Sequence, residues 1–414
     1  MKFSQMFGKT SKTVPADADS TNAKLLTRGG FIMKQTSGIY NYLPLGLRVL
    51  TKIQNIIRQE LDAAGANEIL MPALTQEDNY IKTGRNEALN DILFRTEGQG
   101  GTKLVLNPTH EEIVTPLVQK HVFSYQDLPV AVYQIQNKFR NEPRAKSGLL
   151  RGREFSMKDL YSFHTSQEDL DSYYEKMQKV YDKIYDRLGL GDLTVMTYAS
   201  GGTFCKYSHE FQTISEMGED TIYLCEKCRI AVNEEIIKEQ HTCPACGNKN
   251  LIPKKAIEVG NIFILGAKFT SSFDFTVTDE AGKEIPVLMG CYGIGPSRIM
   301  GTLAEVYNDE RGIIWPKNVA PYQVHLIALG KEEQAAKEAD KIYEQLIKEG
   351  IEVLYDDRIN VSAGEKLADA DLLGMPYRVI VSPKTLEKKV VEFKERSATE
   401  PKFIALSKLI KELK

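Results

Sequence analysis

A chain of 414 residues with 42% hydrophobic, 26% charged and 9% aromatic residues has a globular composition and the length for two or three domains. No stretch approaches the roughly 18 consecutive apolar residues of a membrane span, and the first residues lack the layout of a signal peptide, so a cytoplasmic protein is expected. A net charge of -3, from 53 Lys and Arg against 56 Asp and Glu, argues against general attraction to nucleic acid and leaves room for a local basic surface.

Along the chain, Arg48 to Leu61 places Leu50, Ile53, Ile57 and Leu61 on one face of an amphipathic helix that stops before Gly65. Glu68 to Pro72 reads as a buried strand closed by proline, and Lys103 to Leu106 as a second strand. Thr109 with Glu112 has the spacing of a capping box for the helix that follows. Val130 to Gln136 and Arg153 to Phe163 read as neighbouring strands, joined by a loop bearing Arg140, Arg144, Lys146 and Arg151. Ser166 to Leu188 is a long helix ending at Gly189. Short strands are expected at Asn261 to Leu265, Phe273 to Thr278 and Pro286 to Met289, then the glycine run Gly290 to Gly295 and an apolar helix from Ser297. Antiparallel strands with helices packed around them make this part α+β.

Beyond Pro316 and Pro321 the pattern changes to a compact α/β domain. Its expected elements are strands at Val324 to Leu329, Ile351 to Tyr355, Tyr377 to Val381 and Val390 to Lys394, and helices at Glu332 to Lys348, Gly364 to Leu373 and Ile404 to Leu413.

From Lys138 to Lys158 seven Lys and Arg face two Glu, a local excess of five positive charges. A charge run alone fits a solvated, salt-bridged loop; a second element, Gly293-Ile294-Gly295-Pro296-Ser297-Arg298, favours phosphate, because two separated arginines converging on a polyphosphate neutralise charge in nucleotidyl transfer. The glycine run is neither a Walker loop nor a dinucleotide fingerprint.

Four of the six cysteines, Cys225, Cys228, Cys243 and Cys246, form two C-x2-C pairs with the spacing of paired zinc knuckles. Structural zinc is the expected occupant; two disulfides are the competing reading, and His241 is near enough in sequence to replace one thiolate.

The order of these elements resembles a class II aminoacyl-tRNA synthetase: a first motif ending in Pro72, a second opening with Phe139-Arg140-Asn141-Glu142 and closing with Arg153-Glu154-Phe155, and a third ending in Arg298. Leu43-Pro44-Leu45-Gly46, Pro108-Thr109-His110-Glu111-Glu112, Tyr161-Ser162-Phe163-His164, Ser208-His209-Glu210-Phe211 and Met289-Gly290-Cys291-Tyr292-Gly293-Ile294-Gly295 are similar to the bacterial-type prolyl-tRNA synthetase family over nearly the whole chain. The resemblance implies activation of L-proline by ATP and Mg2+ and transfer to proline tRNA. It gives Arg140 to the proline carboxylate and α-phosphate, Arg298 to the γ-phosphate, and Glu142, Arg151 and Phe155 to the rest of ATP. It gives Thr109 and Glu111 to the proline ammonium, and Phe163, His164, His209 and Cys291 to the ring wall. On residue pattern alone Thr109 fits a helix cap and His164 a core histidine.

Where the family carries a glycine pair near the pocket, this chain reads Gly201-Gly202-Thr203-Phe204-Cys205, whose larger residues narrow the pocket or re-route the loop. The implied domains are a catalytic one at 1–224 and 254–318, a zinc mini-insert at 225–253 and an anticodon-binding one at 319–414, with Asp357, Arg358 and Lys366 as candidate base readers. That last domain holds 16 Lys and Arg against 17 Asp and Glu, so charge alone does not advertise RNA. About 40 residues separate Asp220 from Asn261, too few for the editing domain many relatives insert there. The expectation is therefore a homodimer without cis-editing, assisted by a separate trans-editing protein. The competing readings are a related synthetase for threonine, glycine or histidine, and a paralogue that does not charge tRNA.

Overall fold

The period-two pattern of the basic hairpin organises the larger part of the molecule. The structure, a computed structural model, describes residues 1–330 and 333–414. The chain divides into two units, one of Thr36–Ile39 and Ile53–Thr302, the other of Met1–Gln35, Tyr40–Lys52 and Leu303–Lys414. This differs from the expected boundaries at both ends of the catalytic segment. Met1 is the reason at the N-terminus: its ammonium donates to the Val353 carbonyl, its carbonyl accepts from the Tyr355 amide, and Phe3 stacks beneath the Arg358 guanidinium.

The labelled elements in and beside the first unit are α1 (Pro44–Ala63), β1 (Asn67–Glu68), α2 (Glu111–Gln119), β2 (Val130–Phe139), β3 (Glu154–His164), α3 (Gln167–Leu188), β4 (Thr194–Ser200), β5 (Tyr207–Ile214), β6 (Asp220–Cys225), β7 (Ile230–Asn233), β8 (Ile252–Gly266), β9 (Leu288–Ile294) and α4 (Pro296–Val306). A nine-stranded sheet has the order β5-β4-β7-β6-β8-β9-β3-β2-β1, antiparallel except where β7 joins β4 and β1 joins β2. β5 also pairs with β8, so five strands close on themselves.

Strand β3 shows how the sheet divides its faces. Ser156, Lys158, Leu160, Ser162 and His164 alternate towards α3, where the Lys158 ammonium donates to the Tyr181 hydroxyl at 2.7 Å. Phe155, Met157, Asp159, Tyr161 and Phe163 take the opposite face. There Tyr161 and Phe163 pack with Val114 of α2, Phe269, Phe275 and Cys291. Helix α3 presents the expected stripe of Leu170, Tyr174, Met177, Tyr181, Ile184 and Leu188; Ser166 caps it, and Gly189, at φ 80°, closes it in the left-handed conformation a glycine reaches without penalty.

Three expectations are corrected here. The segment before Pro72 is strand only at Asn67–Glu68, and Leu70 is 75% exposed, because the segment lies at the edge of the sheet with one face open. The capping box at Thr109 does not form: His110 is the cap residue without a side-chain bond, Thr109 bonds Glu111, and Glu112 is held by Arg85. The glycine run is central strand through Ile294, with Gly290 tight enough that a Cβ would lie 2.4 Å from the Tyr292 hydroxyl. Phe273 ends a short helix, Lys268–Ser272, rather than beginning a strand.

In the second unit β10 (Val324–Ala328), β11 (Val353–Asp356), β12 (Tyr377–Val381), β13 (Val390–Glu395) and β14 (Lys402–Ala405) form a sheet of order β11-β10-β12-β13-β14, parallel in its first three strands and antiparallel thereafter. Helices α5 (Glu333–Lys348) and α6 (Ala363–Leu373) belong to it. The helix expected from Glu332 therefore starts among the described residues at Glu333, and Glu332 lies outside them. The helix expected from Ile404 begins instead as β14, which pairs Ile404 with Val391; a 3-10 turn at Leu406–Lys408 follows, and only Leu409–Leu413 is α-helical.

Candidate active site

On the α2 face of the sheet two adjoining cavities, of about 230 and 200 Å3, share Arg140, Phe155, Glu258 and Arg298 as lining. Thr109, Asp159, Phe204, Cys291 and Gly293 belong to the smaller; Glu142, Arg151, Glu219 and Asp220 belong to the larger. The end of β2, the start of β3, the middle of β8 and the β9–α4 junction thus bring the two arginine-bearing motifs to one place. Gly293 leaves room above it, since an added Cβ would meet only the Asn261 carbonyl at 3.7 Å.

In the smaller chamber the Thr109 hydroxyl donates to Glu111 Oε2 at 2.6 Å, and the Cys291 thiol donates to Glu111 Oε1 at 3.3 Å. Glu111 itself is fully buried and stands behind both. Burial, reinforced by Glu111, pushes the Cys291 thiol up, which keeps it a neutral wall. Below lies an acidic and basic pair missed by sequence reading: Lys138 and Asp159, buried, 2.7 Å apart, with Gln134 and Tyr161 also donating to Asp159. Arg85, equally missed, binds Glu111 and Glu112. The signal was the period of two on β2 and β3, which puts Asp159 on the same face as Phe155.

In the larger chamber Arg140 has no ion-pair partner among the described residues; its guanidinium lies over the Phe155 ring, 5.2 Å from the centroid, and its Nε is buried without a hydrogen-bond acceptor. Burial, and the Arg298 cation beyond it, lower its pKa, so the site favours arrival of an anion. Arg298 donates to the Glu258 carbonyl and carboxylate at 2.8 and 3.0 Å and to the Leu150 carbonyl at 2.9 Å. Glu142 accepts two bonds from Arg151, at 3.1 and 2.9 Å, and Arg151 reaches Glu219 at 3.1 Å. Burial and Glu258 push the Glu210 carboxyl on β5 up to about 8.

Three residues expected in the ring wall lie elsewhere. His164 and His209 alternate to the α3 face: His164 Nδ1 pairs with Asp169 at 2.6 Å, and His209 Nδ1 with the Tyr174 hydroxyl at 2.7 Å. Phe163 faces the chamber side but sits farther along β3, 6.1 Å from the Phe275 ring centroid in the core. None of the three lines either cavity. In the second unit Arg358 binds Asp356 and Asp369, Lys366 donates to the Ala328 and Asp356 carbonyls, and Asp357 accepts from Ser4, so all three side chains are engaged within the unit.

The four clustered cysteines sit where β6 ends, before β7, and in the loop ahead of β8. All are free thiols, their ligand atoms lie within 4.8 Å of one another, and Cys228 Sγ is 3.3 to 3.5 Å from the other three. Tetrahedral Zn–S bonds of about 2.3 Å separate sulfurs by about 3.8 Å, so this set fits a closed zinc site and not two disulfides. His241 is outside the group. Asn248 Nδ2 donates to Cys225 Sγ at 3.4 Å.

Comparison with known proteins agrees with this arrangement. Residues 94–307 match the tRNA synthetase class II core domain (G, H, P, S and T), and 323–414 match the anticodon binding domain. The chain belongs to the class II tRNA synthetases. The proline--tRNA ligase of Sulfurimonas denitrificans is 39% identical over 422 residues, 97% of this chain and 96% of that one. That of a Wolbachia species is 38% identical over 425 residues, 99% of each. Within the class, the chain belongs to the proline--tRNA ligase family. The Dehalococcoides mccartyi relative, 32% identical, aligns over 558 residues covering 99% of this chain and 98% of its own length, and so carries long segments absent from these 414 residues. Two solved structures share the fold: prolyl-tRNA synthetase of Giardia lamblia in complex with prolyl-adenylate (TM-score 0.79, 22% identity, 98% of this chain and 78% of that one) and of Cryptosporidium parvum complexed with L-proline and AMP (TM-score 0.76, 20% identity, 95% and 76%). Among the described residues no helix is long and apolar enough to cross a membrane.

Proposed function

We propose that this enzyme activates L-proline with ATP and transfers the prolyl group to proline tRNA. The observation that carries the reading is the continuity of the two chambers: Arg140, with Phe155, Glu258 and Arg298, lines both, while Thr109 and Cys291 belong to one and Glu142 and Arg151 to the other. Thr109 gives its hydroxyl proton to Glu111, which leaves the Thr109 oxygen lone pairs to accept from the ring ammonium, with the Glu111 charge directly behind. Cys291 and Phe204 wall the ring. Arg140, with no ion-pair partner among the described residues, bridges the amino-acid carboxylate and the α-phosphate and stabilises charge as the carboxylate oxygen attacks phosphorus and pyrophosphate leaves. Phe155 supports the base, Arg298 the γ-phosphate, and the Glu142–Arg151 pair the adenine side.

Magnesium, when bound with ATP, shares the phosphate charge; Glu258 and Asp220 offer the oxygen donors it takes. The four thiolates would hold zinc as a structural support for the β6–β7 turn, with no ligand position left open for chemistry. The second unit is read as the tRNA anticodon-binding part. Leu70 and Leu74, exposed beside the first motif, support a homodimer that covers them. The short 225–253 segment supports the absence of cis-editing, leaving alanyl-tRNA to a separate deacylase. The test is amino-acid-dependent ATP–pyrophosphate exchange followed by charging of proline tRNA: proline is expected to support both, with alanine no more than weakly active in exchange, and loss of either with proline overturns the reading.

A further inference from the structure

Arg85 sits at the start of a four-residue helix and is 3% exposed. One of its nitrogens, Nη1, donates to Glu111 Oε2 at 3.1 Å and to the two Glu112 oxygens at 2.9 and 3.2 Å. The guanidinium also stacks on Phe204 and Phe269, with centroids 4.6 and 5.2 Å away. Phe204 is a chamber wall, so one buried cation touches both the carboxylate behind Thr109 and the aromatic ring beside it. Buried charge survives only when paired, and an arginine fork is suited to holding two carboxylates in fixed positions. The count is uneven: one guanidinium against two carboxylates leaves one negative charge when both are ionised. A neutral ligand gains nothing from that surplus, whereas a cation does.

We propose that Arg85 is a positioning residue for amino-acid recognition: it holds Glu111 as an acceptor, so that the Thr109 oxygen faces the ring ammonium, while Glu112 balances its charge and leaves the cluster one net negative charge for that ammonium. This rests on the assignment of Thr109 and Glu111 to the ammonium. The groups around Glu112 are Arg85, the Thr83 hydroxyl at 3.0 Å, Glu111 and the Tyr80 phenol.

The test compares proline with tetrahydrofuran-2-carboxylate, which keeps ring and carboxylate and puts an oxygen in place of the ammonium. With the full-length protein, exchange kinetics give KM for proline and ATP, and inhibition of exchange gives Ki for the analogue. Arg85→Met is expected to raise the proline KM at least about tenfold, as loss of a buried charge partner does. The ATP KM and the analogue Ki should move less than about twofold, a split that general loosening of the fold does not produce. Glu112→Gln keeps the Arg85–Glu111 bond and removes only the surplus charge; it is expected to raise the proline KM about threefold or more, while the Ki of the analogue, a net anion, stays level or falls, and it carries the test if Arg85→Met does not fold. Parallel changes for proline and analogue, or an unchanged proline KM in Glu112→Gln, would overturn the proposal. A wild-type protein without proline-dependent exchange would instead overturn the assignment beneath it.

Discussion

The Arg140 guanidinium lies over the Phe155 ring, 5.2 Å from its centroid, with no carboxylate paired to it among the described residues. In a pocket where Arg298 and Arg151 are both engaged by glutamates, the proposed function gives this cation to the substrate. Arg140→Ala is expected to lower proline-dependent exchange by about 10²–10³-fold at saturating substrate, the scale of losing one preorganised donor to a developing anion. Arg140→Lys should recover little, because an ammonium lacks the planar fork that spans two oxyanions. Near-normal exchange in Arg140→Ala would remove it from the chemistry.

Proline binding is expected to strengthen as pH rises from 6 to 8. Burial, with Glu111 adding and Arg85 opposing, pushes the Glu112 carboxyl up to about 7. Arrival of a cation favours the ionised form, so binding releases a proton and the proline KM falls across this range; Glu112→Gln should flatten the profile. Stability runs the other way. A carboxyl raised above its usual 4.5 contributes most below that pH, and the contribution is lost as pH rises through about 7. KM against pH for both proteins checks the sign.

Removing zinc should cost stability more than catalysis. The thiolates line neither chamber, while their turn joins strands of the central sheet. Cys228→Ser, whose sulfur contacts all three others, is expected to abolish stoichiometric zinc and lower the melting temperature by at least about 5 °C. Metal analysis and calorimetry measure both. Full zinc content in Cys228→Ser contradicts the four-thiolate site.

His325 supplies an acid-sensitive point in the second unit. Among the described residues neither ring nitrogen has a hydrogen-bond partner, and burial pushes its pKa down to about 4 from 6.5. A histidine held neutral contributes stability above pH 6.5, lost as pH falls towards 4. His325→Leu is expected to flatten that part of the stability profile, read by denaturant unfolding between pH 7 and 4.5. An unchanged slope counts against this role.

Alanyl-tRNA should persist in the presence of this protein alone. A proline pocket rejects a smaller side chain by only about 1–3 kcal/mol, so alanine is activated at a measurable rate. Deacylation of alanyl-tRNA by the purified chain would show an editing activity that the 225–253 segment does not suggest.

Much of this was legible because chemistry and period coincide. Arg140, Phe155 and Arg298 sit in dense local signals, and Thr109, Glu111 and Cys291 in short motifs around them. The errors have physical causes. His164 was read as pocket although it shares the parity of Lys158, not of Phe155, and so faces α3. Leu70 looked buried because an apolar run does not announce that it lies at a sheet edge. Thr109 matched a capping box, but a buried guanidinium competed for Glu112. Arg85 carries no motif: its partners are 26 and 27 residues away, and only the fold brings them together.

The central claim, a proline-specific adenylating site, is tested most directly by ATP–pyrophosphate exchange across a panel of amino acids. Proline should support exchange, with threonine, glycine and histidine near background and alanine weakly active. Exchange driven by threonine, glycine or histidine and not by proline would contradict it.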